Sequence, residues 1–486
     1  MNSLSSNSPG SNAVWHALFD AESIAVIGAN DVPGSWGHDA LRSAMASGRK
    51  VYAINPNIPR ILGLDSYKTV LDIPGTVELA VIVVPAAIVP AIMRQCAQKG
   101  VSAADVISAG FAEVDEAGGR LQNELLEAAR QGGIRFVGPN CLGHTNVHNL
   151  VGCAGVAGRA VPGPLAVIAQ SGTLGASIAM NAATRGLGLS KFISTGNEAS
   201  LHLEDYLEYL AGDNESQIIA AYIEGLREGR RFFELAREIS RRKPILVVKT
   251  GSTESSSQAA RSHTGALAGS DSVYASAFRQ SGVIRADDEE ELCDVALALV
   301  SSPLPAGNRV GILTMGGGFG VVTSEACEKE GLTIARLSRS SLDKLNAILP
   351  SRWSHGNPVD LVGIKHMGED PVSMQCIDIL MEDPGIDVLI SLLPPVAPLG
   401  GPAGQLAPDQ IEALKAENAK RLDQLETRVK QTGKPLFLLR RFNFPQENPR
   451  SNQEQGRHIP EYSNTRRVAR VLRHLVNYSD YLNNNA

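Results

Sequence analysis

A histidine among small residues, Arg261-Ser262-His263-Thr264-Gly265-Ala266-Leu267-Ala268-Gly269, is the most chemically suggestive feature of the sequence. Its neighbours have too little bulk to bury it, so the imidazole can reach a ligand. Neutral imidazole is nucleophilic and titrates near neutral pH, which suits it to accept a phosphoryl group and pass it on. A surface or hydrogen-bonded structural histidine fits the same spacing. The other nine histidines, His144, His355 and His366 among them, carry only that structural reading. Glu224 ends the apolar run IIAAYIEG. A carboxylate at such a strand end can hold one imidazole nitrogen, fixing the tautomer in which the other attacks. Taken singly, it is equally a solvated strand-end residue.

Three glycine-containing turns offer backbone N–H groups to an anion. Gln170, Ser171, Gly172, Thr173 and Leu174 join an apolar run to a helical one, and the small residues and two hydroxyls suit a phosphate at a helix N-terminus. An N-capping turn has the same composition. Gly316, Gly317, Gly318 and Gly320, interrupted by Phe319, precede a helix expected from near Val321 and read as a backbone nest or as a tight turn. The Asn357–Leu361 stretch NPVDL suits a rigid loop nearby, without readable chemistry. The turn from Gly28 through Ser35 to Gly37 is not GxGxxG, yet it leads into a helix beginning near Trp36. Asn55, Pro56, Pro85, Ser108, Gly110, Pro139 and Asn140 all fall at ends of neighbouring apolar runs, along the crevice where open parallel sheets bind ligands. Asn55-Pro56 stands where a dehydrogenase would hold ribose hydroxyls with an acid, which argues against NAD chemistry.

Such loops must be positioned by sheets. Val- and Ile-rich runs followed by helix-length amphipathic segments mark parallel strands with crossover helices. Three series recur: SIAVIGA, KVYAINP, ELAVIVVP, DVISAGF and IRFVGPN; then PLAVIAQ, LSKFISTG, IIAAYIEG and PILVVKT; then RVGILTMGGG, LTIARLS, DVLISLLPP and PLFLLRR. This predicts an α/β protein of three doubly wound units, over 15–150, 160–300 and 305–486. Val151–Pro164 reads as a linker, and TRRVARVLRHLVNYSDYL as a helix closing the third unit. The 486-residue length fits about three units at roughly 150 residues per domain.

Composition narrows the class. With 43% hydrophobic and 20% charged residues the chain is not disordered, and 47 glycines favour glycine-rich ligand loops. A net charge of -6 without a basic run excludes a nucleic-acid footprint. No apolar stretch approaches the roughly 20 residues that span a bilayer, and the first residues lack a signal-peptide pattern, so no membrane association and a cytoplasmic location are expected. The six cysteines, without CxxC or CxxH spacing, point to no metal site.

On these residues the chain resembles the NDP-forming acyl-CoA synthetases, specifically α subunits of ADP-forming acetate–CoA ligases within the succinyl-CoA synthetase superfamily. SIAVIGANDVPGSWG with VYAINP, VVPA, SAGF and GPNCLG resembles the family's Rossmann-like CoA-binding domain. AQSGTLG, STGNEAS, YIEG and SHTGALAG resemble its flavodoxin-like ligase domain, and TMGGGFGVVTSEACEKEGL with NPVDL a second flavodoxin-like domain. The resemblance implies that His263 is the phosphorylated histidine and Glu224 the carboxylate that orients it. It further implies that Gln170 to Leu174 and the Gly316–Gly320 loop hold phosphate, and that Gly28, Ser35, Asn55, Pro56, Pro85, Ser108, Gly110, Pro139 and Asn140 line the CoA site. One departure is GGGFG where the family reads closer to AGGPG, which puts Phe319 in place of a proline.

No ATP-grasp module follows the third unit, so the resemblance implies a separate ATP-grasp β subunit binding ATP and Mg, in an α2β2 heterotetramer. The implied reaction joins a small carboxylic acid to CoA while ATP becomes ADP and phosphate. It passes through an acyl phosphate and a phosphoryl group carried on His263, in an order that depends on direction. A catalytically inactive CoA-binding sensor or scaffold is the alternative.

Overall fold

A computed structural model describes residues 9–155, 160–251, 253, 270–362, 372–392, 408–439 and 459–485. His263 lies outside the described residues. The chain divides after Leu292 into two compact units.

The first unit contains two sheets. One has seven strands, β1 (Ser23–Ile27), β2 (Lys50–Ile54), β3 (Arg60–Ile61), β4 (Leu64–Tyr67), β5 (Leu79–Ile82), β6 (Ala103–Val106) and β7 (Arg135–Val137), in the order β3-β4-β2-β1-β5-β6-β7. All neighbours are parallel except β3 with β4. The other has six, β8 (Gly143–Asn146), β9 (Pro162–Ala169), β10 (Leu189–Ser194), β11 (Ile218–Ile223), β12 (Ile245–Lys249) and β13 (Ile284–Ala286), ordered β13-β12-β11-β9-β10-β8. Every pair is parallel except β8 with β10. Chain order reverses at β1 in the first sheet and at β9 in the second, which creates a crevice at the carboxyl ends of those strands.

The sequence explains the parallel arrangement. SIAVI, LAVI, IIAAYI and ILVVK are buried at every position, as expected of strands covered by helices on both faces. Helices α1 (Pro9–Phe19), α2 (Trp36–Ala46), α3 (Val89–Lys99), α4 (Glu116–Gln131), α5 (Gly172–Thr184), α6 (Leu203–Gly212) and α7 (Gly229–Ile239) lie along the first unit. In α7, Phe232, Leu235, Ala236 and Ile239 recur at helical spacing and are buried. A single core runs through both sheets, from Leu41 and Val81 to Ile168, Ile193, Tyr206 and Ile219. That continuity makes two sheets one unit, with each fully buried Leu or Ile contributing about 1.5–3 kcal/mol.

Strand β8 was not expected, because GHTN has no apolar alternation. Polar bonds bury it instead. His144 Nδ1 meets Asp105 Oδ1 at 2.8 Å, Nε2 meets the Leu18 carbonyl, and Asn146 Nδ2 donates to the Phe19 carbonyl at 3.0 Å. Part of the stretch read as a linker belongs to the second sheet: Gly152 bridges Thr145 of β8, and residues 162–164 already form the start of β9.

The second unit holds β14 (Arg309–Thr314), β15 (Thr333–Ile334), β16 (Val359–Asp360), β17 (Val388–Ser391), β18 (Leu436–Leu439) and β19 (Glu461–Tyr462). Their order is β15-β14-β17-β18-β19, all parallel, with β16 pairing the end of β14 that β15 does not reach. Asn357 fills the gap between these short strands: its amide donates to Val310 O at 2.8 Å and Ala335 O at 2.9 Å, and its oxygen accepts from Ile312 N at 2.9 Å. The closing helix Thr465–Asn484 buries Val468, Val471, Leu472, Leu475 and Val476.

Candidate functional site

The carboxyl end of β9 is built around the side chain of Gln170. Its oxygen accepts from Glu224 N at 2.6 Å and Gly225 N at 3.1 Å, while its nitrogen donates to Gly225 O at 2.7 Å and Glu198 Oε2 at 3.0 Å. Gln170 and Glu224 are both buried. One carboxamide thus satisfies backbone groups just beyond the end of β11 and sets Glu224 beside the start of α5. At that start Ser171 is the N-cap, accepting from Leu174 N at 3.5 Å, and its hydroxyl lies 3.1 Å from that of Thr173. The capping role and an anion-facing role are compatible, because a side chain satisfies only part of a helix's first turn. A side chain at Gly172 would strike Leu142 Cγ at 2.5 Å, so the glycine is required by close packing.

Glu224 is also supported from β12. Lys249 Nζ donates to the Glu224 carbonyl at 2.9 Å and lies 4.5 Å from the centroid of the Tyr274 ring. Burial lowers the Lys249 pKa.

The loops of the first sheet gather at its carboxyl edge. A Cβ at Gly28 would sit 2.1 Å from Val83 O and one at Gly37 2.1 Å from Gly28 O, so β1, β5 and the start of α2 meet with no room for side chains. Ser35 caps α2 and donates to Asn30 Oδ1 at 2.6 Å; Asn55 Nδ2 donates to Ala29 O at 2.8 Å. Ser108 Oγ donates to Val84 O at 2.6 Å and accepts from Val84 N at 3.2 Å, joining the ends of β5 and β6. Pro56 and Pro85 are exposed, and Gly110 has a φ of 111°. Val32, Trp36 and Ile88 are exposed apolar residues on the same rim, with Lys68 exposed just past β4. An open, glycine-lined edge with apolar surface and a cation suits a long ligand that is part nucleotide and part alkyl chain, as CoA is.

The loop Gly138–Asn140 meets the second sheet. Asn140 N donates to Ser108 O at 2.9 Å, Asn197 N to Pro139 O at 2.9 Å, and Asn140 Nδ2 to Asn197 Oδ1 at 3.3 Å. Asn197 Nδ2 also donates to Glu113 Oε2 at 2.5 Å. Although partial burial opposes it, hydrogen bonds from Asn197, Gly110 and Phe111 hold Glu113 below the usual carboxylate range. Sequence reasoning missed Asn197, Glu198 and Glu113, since isolated polar residues in turns carry no signal of their own.

In the second unit the glycine run is a helix start rather than a loop before one. The helix spans Gly317–Lys329, with Gly316 as N-cap, four residues earlier than expected. Gly320 packs against Pro358, where a Cβ would lie 2.9 Å from Pro358 Cβ, while Gly318 has open space around it. The Asn357–Asp360 stretch therefore borders this helix start, and the Gly317 position is 3.5 Å from Asp360 Oδ2.

All six cysteines are buried and none forms a disulfide, and burial pushes the thiols of Cys96, Cys327 and Cys376 up to about 12. Among the described residues no group of three or more His, Cys, Asp or Glu could hold a metal ion, and no helix is long and apolar enough to cross a membrane.

Comparison with known proteins matches three family models: a CoA binding domain over residues 22–146, a succinyl-CoA ligase like flavodoxin domain over 162–299 and a ligase-CoA domain over 310–397. The α subunit of acetate–CoA ligase (ADP-forming) II from Pyrococcus furiosus is 38% identical over 460 residues, covering 94% of this chain and 96% of its own length. Acetate–CoA ligase (ADP-forming) I from Archaeoglobus fulgidus is 41% identical over 382 residues, 78% of this chain but 55% of its own, so the chain matches about half of that protein. Among solved structures, a Candidatus Korarchaeum cryptofilum dinucleotide-forming acetyl-coenzyme A synthetase in complex with phosphate and ADP superposes with a TM-score of 0.81 at 29% identity, covering 97% of this chain and 99% of that one.

Proposed function

The chain belongs to the ADP-forming acetate–CoA ligase family, and from that premise we propose that it is the α-type half of an acid–CoA ligase working with a separate ATP-grasp subunit. The reaction joins a carboxylic acid to CoA and converts ATP to ADP and phosphate. The observation that carries the reading is the Gln170 bridge, which sets the buried Glu224 beside the N-terminus of α5 at the point where strand order reverses.

In the ligation direction, a nitrogen of His263 takes the γ-phosphoryl group and ADP leaves. A carboxylate oxygen of the acid then attacks that phosphorus, the N–P bond breaks and an acyl phosphate forms. The CoA sulfur attacks the acyl carbon, and phosphate departs with the thiol proton. Glu224 holds the imidazole in one tautomer and stabilises the positive charge that develops as phosphate is transferred. Ser171, Gly172, Thr173 and Leu174 receive the anion at the positive end of α5, and Gly316, Gly317, Gly318 and Gly320 do the same at the helix start in the second unit. CoA lies along Gly28, Ser35, Asn55, Pro56, Pro85, Ser108, Gly110, Pro139 and Asn140, with its pantetheine arm directed along the Gly138–Asn140 loop towards α5. Mg accompanies the nucleotide on the partner, and the assembly is an α2β2 heterotetramer. The protein works in the cytoplasm, where these substrates are available.

Co-expression with the ATP-grasp subunit tests the proposal. Product analysis with ATP, Mg, CoA and a panel of carboxylic acids is expected to give acyl-CoA, ADP and phosphate in equal amounts. Formation of AMP and pyrophosphate, or no acyl-CoA with any acid, would overturn it.

A further inference from the structure

Glu198 sits directly behind the phosphate loop. It follows β10 with a left-handed φ of 52° and is 3% exposed. Oε2 accepts from Gln170 Nε2 at 3.0 Å, whereas Oε1 is buried and, apart from the neighbouring Thr195 hydroxyl, has no hydrogen-bond partner among the described residues. Glu204 in α6 has no exposure, and its Oε2 likewise lacks a partner there although Oε1 accepts from Glu228 N at 3.1 Å. The Glu198 carboxyl therefore ionises only at a cost, since its charge forfeits its hydration and meets the field of Glu204.

We propose that Glu198 is a positioning residue that works as a neutral carboxylic acid: uncharged, it anchors Gln170 and leaves the anion site at the start of α5 favourable, and once ionised it weakens that site for phosphate. The inference rests on the ligase reading only in taking the start of α5 as a phosphate site.

Several groups act on this carboxyl. Burial pushes its pKa up to about 8, and the charge of Glu204 adds to the rise. Hydrogen bonds from the Thr195 hydroxyl, which also reaches Ala169 O at 3.4 Å, and from the Gln170 amide, together with the Arg227 guanidinium, pull it the other way. The Tyr206 hydroxyl is raised well above its ordinary value, chiefly by burial, and stays neutral throughout. Glu224 stands across Gln170, on the far side of the same hydrogen-bonded unit. Glu198 is thus a group here whose charge changes just above neutral pH, one carboxamide away from the anion site. Ionisation leaves the hydrogen bond to Gln170 intact but adds a negative charge in a medium that screens it poorly.

The test is phosphate binding by the full chain, followed by calorimetry with inorganic phosphate from pH 6.5 to 9.5. Glu198→Gln keeps an oxygen acceptor for Gln170 and cannot ionise, and phosphate's own titration is common to both proteins. The wild type is expected to lose affinity about tenfold more than Glu198→Gln between neutral pH and pH 9.5. Glu198→Ala, which removes the acceptor, is expected to bind weakly at every pH, with Glu198→Gln restoring binding. Infrared difference spectra supply a readout that does not depend on variant folding: a protonated-carboxyl band present at pH 7 and lost by pH 9.5. Parallel pH profiles for wild type and Glu198→Gln, or absence of that band at pH 7, would overturn the proposal. Failure of the ligase reading shows separately, as phosphate binding by a chain whose His263 stays unphosphorylated when ATP, Mg and the ATP-grasp partner are supplied.

Discussion

The main-chain N–H of Glu224 donates to the side-chain oxygen of Gln170 at 2.6 Å, so the carboxylate at the end of one central strand is held by the residue that ends its neighbour. Neither position is independent of the other. A displacement at Gln170 moves both Glu224 and the first turn of α5.

Replacing Gln170 by Ala therefore removes acceptors for two buried N–H groups and a donor for Glu198. The loss of stability is expected to be about 1–3 kcal/mol for the unsatisfied groups. Turnover should fall at least tenfold, with the effect on kcat exceeding that on KM for CoA, because the CoA edge belongs to the other sheet. Denaturant melts and steady-state kinetics of Gln170→Ala check both; an unchanged kcat would contradict the shared support.

Much of this architecture is legible in the sequence, and the gaps have physical reasons. SIAVI, LAVI and ILVVK announce buried parallel strands because solvent touches neither face. GHTN does not announce β8, because what buries it is a set of polar partners far away in sequence, Asp105, Leu18 and Phe19. The glycines after Met315 suggest a loop by composition, yet helix packing against Pro358 favours a residue without Cβ at position 320. Glu198 escapes notice because a glutamate after Gly196-Asn197 has the composition of a solvated turn, and only the folded chain encloses it.

The buried pair His144 and Asp105 makes stability depend on alkaline pH. Both ring nitrogens face acceptors, a carboxylate and a carbonyl, so the imidazole carries two protons. Although burial opposes the charge, the Asp105 carboxylate holds His144 above the usual imidazole range. A raised pKa in the folded state means that the contribution is full below about pH 6.5, the unfolded value, and is lost as pH rises through the folded value. Melting temperatures measured across that range should fall with pH in the wild type. Asp105→Asn, which removes the group that keeps the ring charged, should lower stability at neutral pH and flatten the profile. A flat wild-type profile would contradict the assignment.

Gly37 tests the CoA edge. Its Cβ would lie 2.1 Å from Gly28 O and 2.6 Å from Asn30 Nδ2, so Gly37→Ala must push the start of α2 away from β1. CoA affinity is expected to drop about tenfold or more, since the backbone that would face the ligand moves with the helix. Gly34→Ala is the control: a Cβ there meets nothing within 4 Å, although a φ of 81° makes it strained. Its effect on CoA binding should be smaller than that of Gly37→Ala, and the opposite ranking would argue against this edge as the site.

Gly320→Ala probes the second unit alone. The added methyl would meet Pro358 Cβ at 2.9 Å, displacing the Asn357–Asp360 loop. CoA binding should be unchanged while overall turnover falls, about tenfold if the displacement reaches 1 Å. Unaltered turnover would remove this helix start from the reaction.

The proposed reaction turns on a phosphoryl group carried on His263, with Glu224 orienting the imidazole. Intact-mass spectrometry with peptide mapping, under conditions that preserve phosphohistidine, should be made on the chain incubated with ATP, Mg and its ATP-grasp partner. One phosphate on His263, absent in His263→Ala and formed far more slowly in Glu224→Gln, is the predicted result. An unmodified His263 in the presence of a partner that binds ATP, with CoA binding intact, would contradict it.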